Sequence, residues 1–405
     1  MPSPGGQFLS DEFGDIEDYF ISDYQLIDQY IGDQLWTWGL NNNVQLGINA
    51  TGQRNTPINT FTGINWKSAA GGNNHTAAIK TDGTLWVWGG NDDGQLGINT
   101  SGTTEKRSTP VTTFAGETNW KSVACGRNLT AAIKTDGTLW VWGRNYRGQL
   151  GTNQQFVFKS TPVTTFAGGN NWKSVSCGEE HTAAIKTDGT LWVWGLNDNG
   201  QLGINNTTVR NTPVTTFAGG NNWKSVIAGG LHTAAIKTDG TLWTWGYGGY
   251  GQLGNNTTGN FLTPVTTFAG GNNWKSVSCG QFHTVAIKTD GTLWTWGRND
   301  FAQLGINVAG TTENRTTPVT TFAGGTNWKQ IAVSGNSDRV SAIKTDGTLW
   351  VWGRNTNGQL GINNAADRST STPVTTFAGG TNWKFVGNGV SHTIAIPAGL
   401  NVDFS

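Results

Sequence analysis

The stretch "KTDGTLWVWG" at Lys186–Gly195 decides the fold, because versions of it recur along the whole chain. A strand with one face in water alternates apolar with polar residues. From Leu191 to Trp194 this stretch has no polar residue, so both faces of the strand are apolar. The pattern predicts a strand whose sheet is covered on both sides.

Pairs of tryptophans mark a repeat. The pairs are separated by 50, 54, 52, 51, 51 and 56 residues, and seven further tryptophans stand in "NWK" motifs. A period of about 50 residues without a helical pattern is typical of propeller blades. The pairs are Trp36/Trp38, Trp86/Trp88, Trp140/Trp142, Trp192/Trp194, Trp243/Trp245, Trp294/Trp296 and Trp350/Trp352.

One repeat unit contains four β-rich runs, which are WKSVSC, HTAAIKT, TLWVWG and TPVTTF. Sheets that are apolar on both faces can stack between like sheets, as in a propeller. Lys186 is the only charged side chain in the paired runs, and we expect its ammonium group to extend to solvent.

The turn between the second and third runs sets the expected register. Asp188-Gly189 is a sequence typical of a two-residue type I′ hairpin, which needs positive φ at both positions. Counting back from such a turn places Ile185 opposite Trp192 and Ala183 opposite Trp194.

The two ends of the repeat region predict ring closure. The first LWTWG, Leu35–Gly39, has no NWK–HTAAI unit before it, and the last unit, Asn382–Ile396, has no LWxWG after it. Six complete units lie between them, and the two halves together make a seventh. The sequence therefore predicts an all-β, seven-bladed β-propeller over residues 34–405, in which the N- and C-terminal segments share one blade and leave no open edge.

The pattern G-x-x-H-T-A-A-I-x-x-D-G-x-L-W-x-W-G-x-N-x-x-G-Q-L-G resembles the repeat of the regulator-of-chromosome-condensation (RCC1-like) propellers, over roughly residues 32 to 397. Val44 and Ala302 replace the glycine before QLG, while Leu129 and Arg339 replace the histidine. The founding member is a nucleotide exchange factor with a basic chromatin-binding tail, and other members inhibit enzymes, bind proteins at membranes or serve as scaffolds. The resemblance implies an interaction propeller.

Charge separates an acidic N-terminal arm, residues 1–33, from the propeller. The arm has eight acidic residues and no Lys or Arg, so the remainder has a formal charge of +8. The lysines recur in the KTDG and NWK motifs, and repetition explains them without nucleic acid. The chain shows no apolar stretch of membrane-spanning length and no signal peptide. This predicts synthesis in the cytoplasm, with association to a virion as a further hypothesis.

The sequence gives little support for a metal site or a catalytic site. Ligands of one ion must converge at about 2 Å, whereas equivalent residues of a ring lie on separate blades. We expect each recurring histidine to bond a backbone carbonyl, and the cysteines to act as small buried hydrophobes. The acidic pairs GEEH and NDDG lack a neighbouring base or nucleophile. We therefore predict no cofactor, metal or catalytic residue. The histidines are His75, His181, His232, His283 and His392, and the cysteines are Cys125, Cys177 and Cys279.

The repeat copies differ mainly in the loops after WG and after QLG. Tyr, Phe and Arg in loops on a rigid scaffold are typical of binding surfaces, although drift of solvent-exposed loops explains them equally well. The candidate partner-binding residues are Tyr146, Arg147, Phe156, Phe158, Tyr247, Tyr250, Phe261 and Phe301.

The arm mixes its acids with apolar residues, and its composition predicts docking to a surface. The candidate docking residues are Phe8, Phe13, Tyr19, Phe20, Tyr24 and Tyr30. The leading prediction is a non-enzymatic interaction or structural propeller, which the arm tethers to a larger assembly such as a phage particle or surface appendage. Two alternatives stay open: a regulatory binder of a soluble protein, either exchange-factor-like or enzyme-inhibitor-like, and a glycan-binding propeller.

Overall fold

The computed structural model describes residues 34–60, 63–364, 369–380 and 382–398. These residues form β-strands, loops and a single 3₁₀ turn, Thr311–Glu313. In chain order the strands are β1 (Trp36–Gly39), β2 (Arg54–Asn59), β3 (Trp66–Gly71), β4 (His75–Lys80), β5 (Leu85–Gly89), β6 (Arg107–Thr112), β7 (Trp120–Cys125), β8 (Leu129–Lys134), β9 (Leu139–Gly143), β10 (Lys159–Thr164), β11 (Trp172–Cys177), β12 (His181–Lys186), β13 (Leu191–Gly195), β14 (Arg210–Thr215), β15 (Trp223–Ala228), β16 (His232–Lys237), β17 (Leu242–Gly246), β18 (Phe261–Thr266), β19 (Trp274–Cys279), β20 (His283–Lys288), β21 (Leu293–Gly297), β22 (Arg315–Thr320), β23 (Trp328–Ala332), β24 (Arg339–Lys344), β25 (Leu349–Arg354), β26 (Ser369–Thr375), β27 (Trp383–Asn388) and β28 (His392–Pro397).

Within the described ranges the strands form seven four-stranded antiparallel sheets, which are the blades of a propeller. Blades 1 to 6 each use four consecutive strands, from β3–β6 to β23–β26. Blade 7 has the order β2-β1-β28-β27, so strands from the two ends of the chain pair within one sheet. The predicted seven-bladed ring, closed by both ends, is confirmed.

The KTDGT hairpin differs from the predicted type I′ turn. Ile185 pairs with Leu191 and Ala184 pairs with Trp192, one residue away from the expected register. The Lys186 N–H donates to the Thr190 carbonyl, which leaves a three-residue turn at positions 187–189, and of these residues Gly189 alone has positive φ, at 83°. The cause is Asp188, whose Oδ1 accepts hydrogen bonds from the backbone N–H and hydroxyl of Thr190 two residues on, a local bond that favours a wider turn with a glycine bulge.

Blade packing explains the doubly apolar third strand. Trp172, Ala184 and Trp194 of blade 3 pack against the aliphatic face of blade 2. From the opposite side of the same blade, Ile185 and Val193 pack against the tryptophan face of blade 4. Each blade therefore presents tryptophans to one neighbour and aliphatic side chains to the other, which supports the sandwich interpretation.

Lys186 does not simply extend into solvent. Its Nζ lies 4.8 Å from the ring centroid of Trp172 and 4.5 Å from that of Trp192. These distances allow cation–π attraction, which contributes about 0.5–1 kcal/mol at an exposed site. The same arrangement recurs in blades 1, 2, 4, 5 and 6.

The GQLG loop joins each blade to the next. The backbone carbonyl of Gln201 accepts hydrogen bonds from Thr233 Oγ1 at 2.7 Å and Trp245 Nε1 at 2.9 Å, both in the next blade. Leu202 is completely buried. At Gly203, a Cβ atom would lie 2.8 Å from the indole nitrogen of Trp245, so the close approach of loop and ring requires glycine.

Four of the five recurring histidines also join neighbouring blades. His181 Nε2 lies 2.9 Å from Thr233 Oγ1 in the next blade, and His75, His232 and His392 make equivalent contacts. The partner is a threonine hydroxyl, so the expected bond to a backbone carbonyl is wrong. In blade 6, Arg339 replaces the histidine and donates to the hydroxyl of Thr393 and the carbonyl of Val390 in blade 7.

The buried histidines make stability sensitive to acid. Burial lowers the pKa of His181 to about 3, so its ring stays neutral in the folded chain while the unfolded chain binds a proton below about pH 6.5. Each such histidine therefore reduces the free energy of unfolding by about 1.4 kcal/mol per pH unit as the pH falls from 6.5 towards 3.

We predict that His181→Leu, which copies the natural Leu129 of blade 2, reduces the loss of stability between pH 7 and pH 5 by about 2 kcal/mol. At pH 7 the variant should lose about 1 kcal/mol, because one buried hydrogen bond is removed. Denaturant unfolding at both pH values measures the two quantities. Equal pH dependence in wild type and variant would contradict the assignment of a neutral, buried ring.

Candidate protein-binding face

The two faces of the ring carry different basic residues. One face is formed by the loops that join the first to the second strand and the third to the fourth strand of each blade. All arginines within the described residues lie in these loops or at the adjoining strand ends, and we name this the arginine face. The opposite face carries the KTDGT turns, the TTFAGG loops and every lysine except Lys106 and Lys159, and we name it the lysine face.

A first cluster on the arginine face joins blades 2 and 3. The Arg144 guanidinium lies 4.6 Å from the ring centroid of Tyr146. Glu180 pairs with both Arg144 and Arg147, at 4.0 Å and 3.7 Å. Together with Phe156, which is 72% exposed, these residues line a pocket of about 390 Å³. The cluster offers one carboxylate, two guanidinium groups and two aromatic rings.

An ion pair at the same blade boundary extends the first cluster. Arg127 Nη1 donates to Glu179 Oε1 at 2.8 Å. Burial raises the pKa of Glu179, and the charge of Arg127 opposes that rise. The pair of acidic residues in "GEEH" thus forms contacts with three arginines, and no nucleophile or base accompanies it within those contacts.

A second cluster begins on blades 4 and 5 with three aromatic rings. The centroids of Tyr247, Tyr250 and Phe282 lie 5.0–6.1 Å apart. These separations and their tilted or edge-on orientations are favourable for aromatic pairs. The Arg298 guanidinium lies 5.1 Å from the Tyr250 centroid, so a cation covers one side of the aromatic group.

Arginines extend the second cluster onto blade 6. The Phe301 ring lies between Arg298 and Arg354, whose guanidinium carbons are 5.5 Å and 4.7 Å from its centroid. Asp300 lies 2.6 Å from Arg298, and Asp338 lies 3.7 Å from Arg354. The result is a continuous surface of rings and guanidinium groups held by two carboxylates.

Asp338 occupies an unfavourable environment for a carboxylate. Its side chain is 7% exposed, and burial raises its pKa although Arg298 and Arg354 oppose the rise. Burial thus opposes the charged form of this carboxyl group, and carboxyl groups with perturbed pKa values occur both at functional sites and in structural ion-pair networks.

The structure brings together five of the eight candidate partner-binding residues in these two clusters, and Phe301 joins the second through its arginines. Phe158 is exposed in the same loop as Phe156. Phe261 is the first residue of β18 and is half-buried, so its assignment to a loop is wrong. The candidate docking residues of the arm lie outside the described residues.

Sequence reasoning missed Phe282, Arg127 and the three arginines that follow WG. Phe282 stands in "GQFH", a loop before the second strand that was treated as framework. The signal for the arginines was the residue after WG, which is arginine at Arg144, Arg298 and Arg354 but differs in the other copies.

The cysteines and histidines form no metal site in the described part of the chain, which contains no group of three or more His, Cys, Asp or Glu placed to hold an ion. Burial raises the pKa of Cys279 to about 12, so the thiol is protonated, and the thiolate is the form that binds metals. Among the described residues, no helix has the length and apolar character needed to cross a membrane.

Comparison with known proteins identifies the family. The family model of the RCC1-like domain matches residues 30–396. The ultraviolet-B receptor UVR8 of Arabidopsis thaliana is 34% identical over 345 residues, which cover 84% of this chain and 77% of the receptor. The ligase HERC5 of Homo sapiens is 35% identical over 188 residues, but these cover only 18% of its length. This chain belongs to the RCC1-like domain family.

Solved structures agree on the fold. Prp20p of Saccharomyces cerevisiae superposes with a TM-score of 0.79 at 21% identity, covering 92% of this chain and 93% of that chain. Human WBSCR16 superposes with a TM-score of 0.77 at 22% identity, covering 91% of this chain and all of that chain. At these identities the likeness shows a common propeller architecture.

We predict that Asp338→Asn leaves the free energy of unfolding at pH 7 unchanged or increases it, because the buried charge is removed. The raised pKa means that the folded chain holds its proton more tightly than the unfolded chain, so the variant should also lose the gain in stability that protonation gives below neutral pH. Denaturant unfolding between pH 7 and pH 4 tests both statements.

The matched control is Asp188→Asn on the lysine face. The backbone N–H and hydroxyl of Thr190 lower the pKa of Asp188, so its charge stabilises the fold and the control variant should be less stable at pH 7. A loss of stability in Asp338→Asn equal to that of the control would contradict the account of Asp338.

Proposed function

We propose that this chain is a protein-binding propeller that recognises its partner through the two arginine–aromatic clusters of the arginine face. The observation that supports this most is that side chains typical of protein interfaces lie together on one face of the propeller. The described arginines and tyrosines gather on the arginine face together with Phe156, Phe282 and Phe301, mostly at positions where the repeat copies differ, and the aromatic rings stay partly accessible. Arg and Tyr are enriched among the residues that dominate binding energy at protein interfaces.

The relatives support a protein partner. Prp20p has been studied for its binding to Gsp1p and histones, and the name of UVR8 describes a receptor. The arginine clusters favour a partner surface that offers carboxylates beside apolar side chains, since guanidinium groups pair with carboxylates in a bidentate geometry. Such a partner fits the regulatory alternative, in which the propeller acts on a soluble protein, as well as a structural interaction.

Two finer predictions rest on sequence alone. Tethering by the arm to a larger assembly, such as a phage particle or surface appendage, stays a prediction because residues 1–33 lie outside the described residues. Glycan binding also stays an alternative, and Phe156 is the ring best exposed for stacking on a sugar. A glycan array probed with the full chain separates that alternative from protein binding.

The test uses the full chain as bait in its native cell extract, with quantitative mass spectrometry. We expect a stoichiometric partner that is retained by the wild type and reduced at least tenfold by two double variants, Tyr146→Ala/Phe156→Ala and Arg298→Ala/Arg354→Ala. A tenfold loss corresponds to about 1.4 kcal/mol, which exceeds the roughly 1 kcal/mol that truncation of most interface residues stays below.

The control is Phe166→Ala, which removes a ring that is 65% exposed on the lysine face. It should retain the partner at the wild-type level. Retention of the partner by both arginine-face variants, or its loss in the control alone, would contradict recognition through the arginine face.

A further inference from the structure

Six phenylalanines project from the lysine face. Each belongs to the TTFAGG loop (TTFAGE at Phe114) that leads from the last strand of one blade to the first strand of the next, and each is 62–66% exposed. A single exposed ring is ordinary on a protein surface, whereas a ligand that spans the lysine face would cover several of the six rings at once. The six residues are Phe114, Phe166, Phe217, Phe268, Phe322 and Phe377.

Hydrogen bonds hold the backbone of each loop in place, and the aromatic ring of the phenylalanine does not take part in them. Phe217 donates its backbone N–H to the carbonyl of Gly203 at 2.9 Å. The carbonyl of Gly219 accepts a hydrogen bond from Trp223 Nε1 at 3.0 Å, and Thr216 is buried. These contacts hold the loop, so the exposed ring is free to bind another surface.

The lysine face is also basic. Its described residues include thirteen lysines, from the KTDG and NWK motifs, against the six KTDG aspartates and Glu117, which gives a formal excess of six positive charges. The seven NWK lysines are exposed. A ligand complementary to this face combines negative charge with apolar or aromatic side chains.

The arm has that composition and begins at that face. Residues 1–33 contain eight acids, no Lys or Arg, and the aromatic residues named above. Trp36 of β1 pairs with Ala395 of β28 at the end where other blades carry the KTDGT turn, so the chain enters β1 from the lysine face. A chain of 33 residues can extend to about 110 Å, so the arm can reach well beyond the four strands of blade 7, which are spaced about 4.8 Å apart.

We propose that residues 1–33 dock across the lysine face of their own propeller. In this arrangement the carboxylates of the arm lie near the exposed lysines, and its aromatic side chains pack against the six exposed phenylalanines. Attachment to β1, which begins at the lysine face, gives the arm an effective concentration in the millimolar range, which favours its own face over that of another copy. This placement competes with tethering, because an arm that covers its own propeller is not available to hold another chain.

Zero-length carbodiimide cross-linking of the full chain tests the proposal. The protein is mixed from equal amounts of ¹⁴N- and ¹⁵N-labelled chains, and cross-links between arm carboxylates and lysines are located by mass spectrometry. We expect cross-links to NWK lysines of the lysine face, within chains of one isotope, with a severalfold fall in yield at high salt because the attraction is ionic.

The variant Phe166→Ser/Phe217→Ser/Phe268→Ser should lower the yield severalfold while its denaturant unfolding midpoint stays near that of the wild type, since the rings are exposed. The control Tyr146→Ser/Phe156→Ser, on the arginine face, should leave the yield unchanged. Mixed-isotope cross-links at the random proportion, or cross-links to Lys106 and Lys159 equal to those of the lysine face, would overturn the proposal.

Discussion

The whole structure depends on a strand that is apolar on both faces. Trp192 and Trp194 need cover on one side, and Leu191 and Val193 need it on the other. A blade satisfies both only between two other blades, so an open array would leave one blade at each end with a bare apolar face. Closure of the ring removes both bare faces at once. Closure of the ring is thus a physical requirement of the repeat.

The repeated residues pack one blade against the next, so we expect recognition of a partner to depend on residues that differ between the repeats. The carbonyl of Gln201 holds adjacent blades together, because it accepts hydrogen bonds from Thr233 and Trp245 of the next blade. Equivalent bonds recur around much of the ring. The arginine face is then a rigid platform on which Arg298 and Arg354 can be placed with little loss of conformational freedom on binding. Separation of arginines and lysines onto opposite faces allows the two surfaces to serve different ligands.

Sequence reasoning reached the fold because a 50-residue period and two half-repeats leave few other architectures. It failed where one local bond decides the geometry: the side chain of Asp188 sets the hairpin length, and with it the register of Trp192. It also missed Phe282 and the exposed phenylalanines of TTFAGG. The repeated TTFAGG motif does not reveal whether its phenylalanine side chain is buried or exposed, because this depends on the path of the loop from one blade to the next.

Circular permutation tests the central claim, that seven equivalent blades close one ring, most directly. The permuted chain joins Pro397 to Leu35 through Thr-Asp-Gly-Thr, which gives blade 7 the hairpin of the other blades, and opens the chain between Asp188 and Gly189. If the blades are equivalent, it should unfold in one cooperative transition, with a denaturant midpoint close to that of residues 35–397 in their natural order. Loss of cooperative unfolding in the permuted chain would contradict the account.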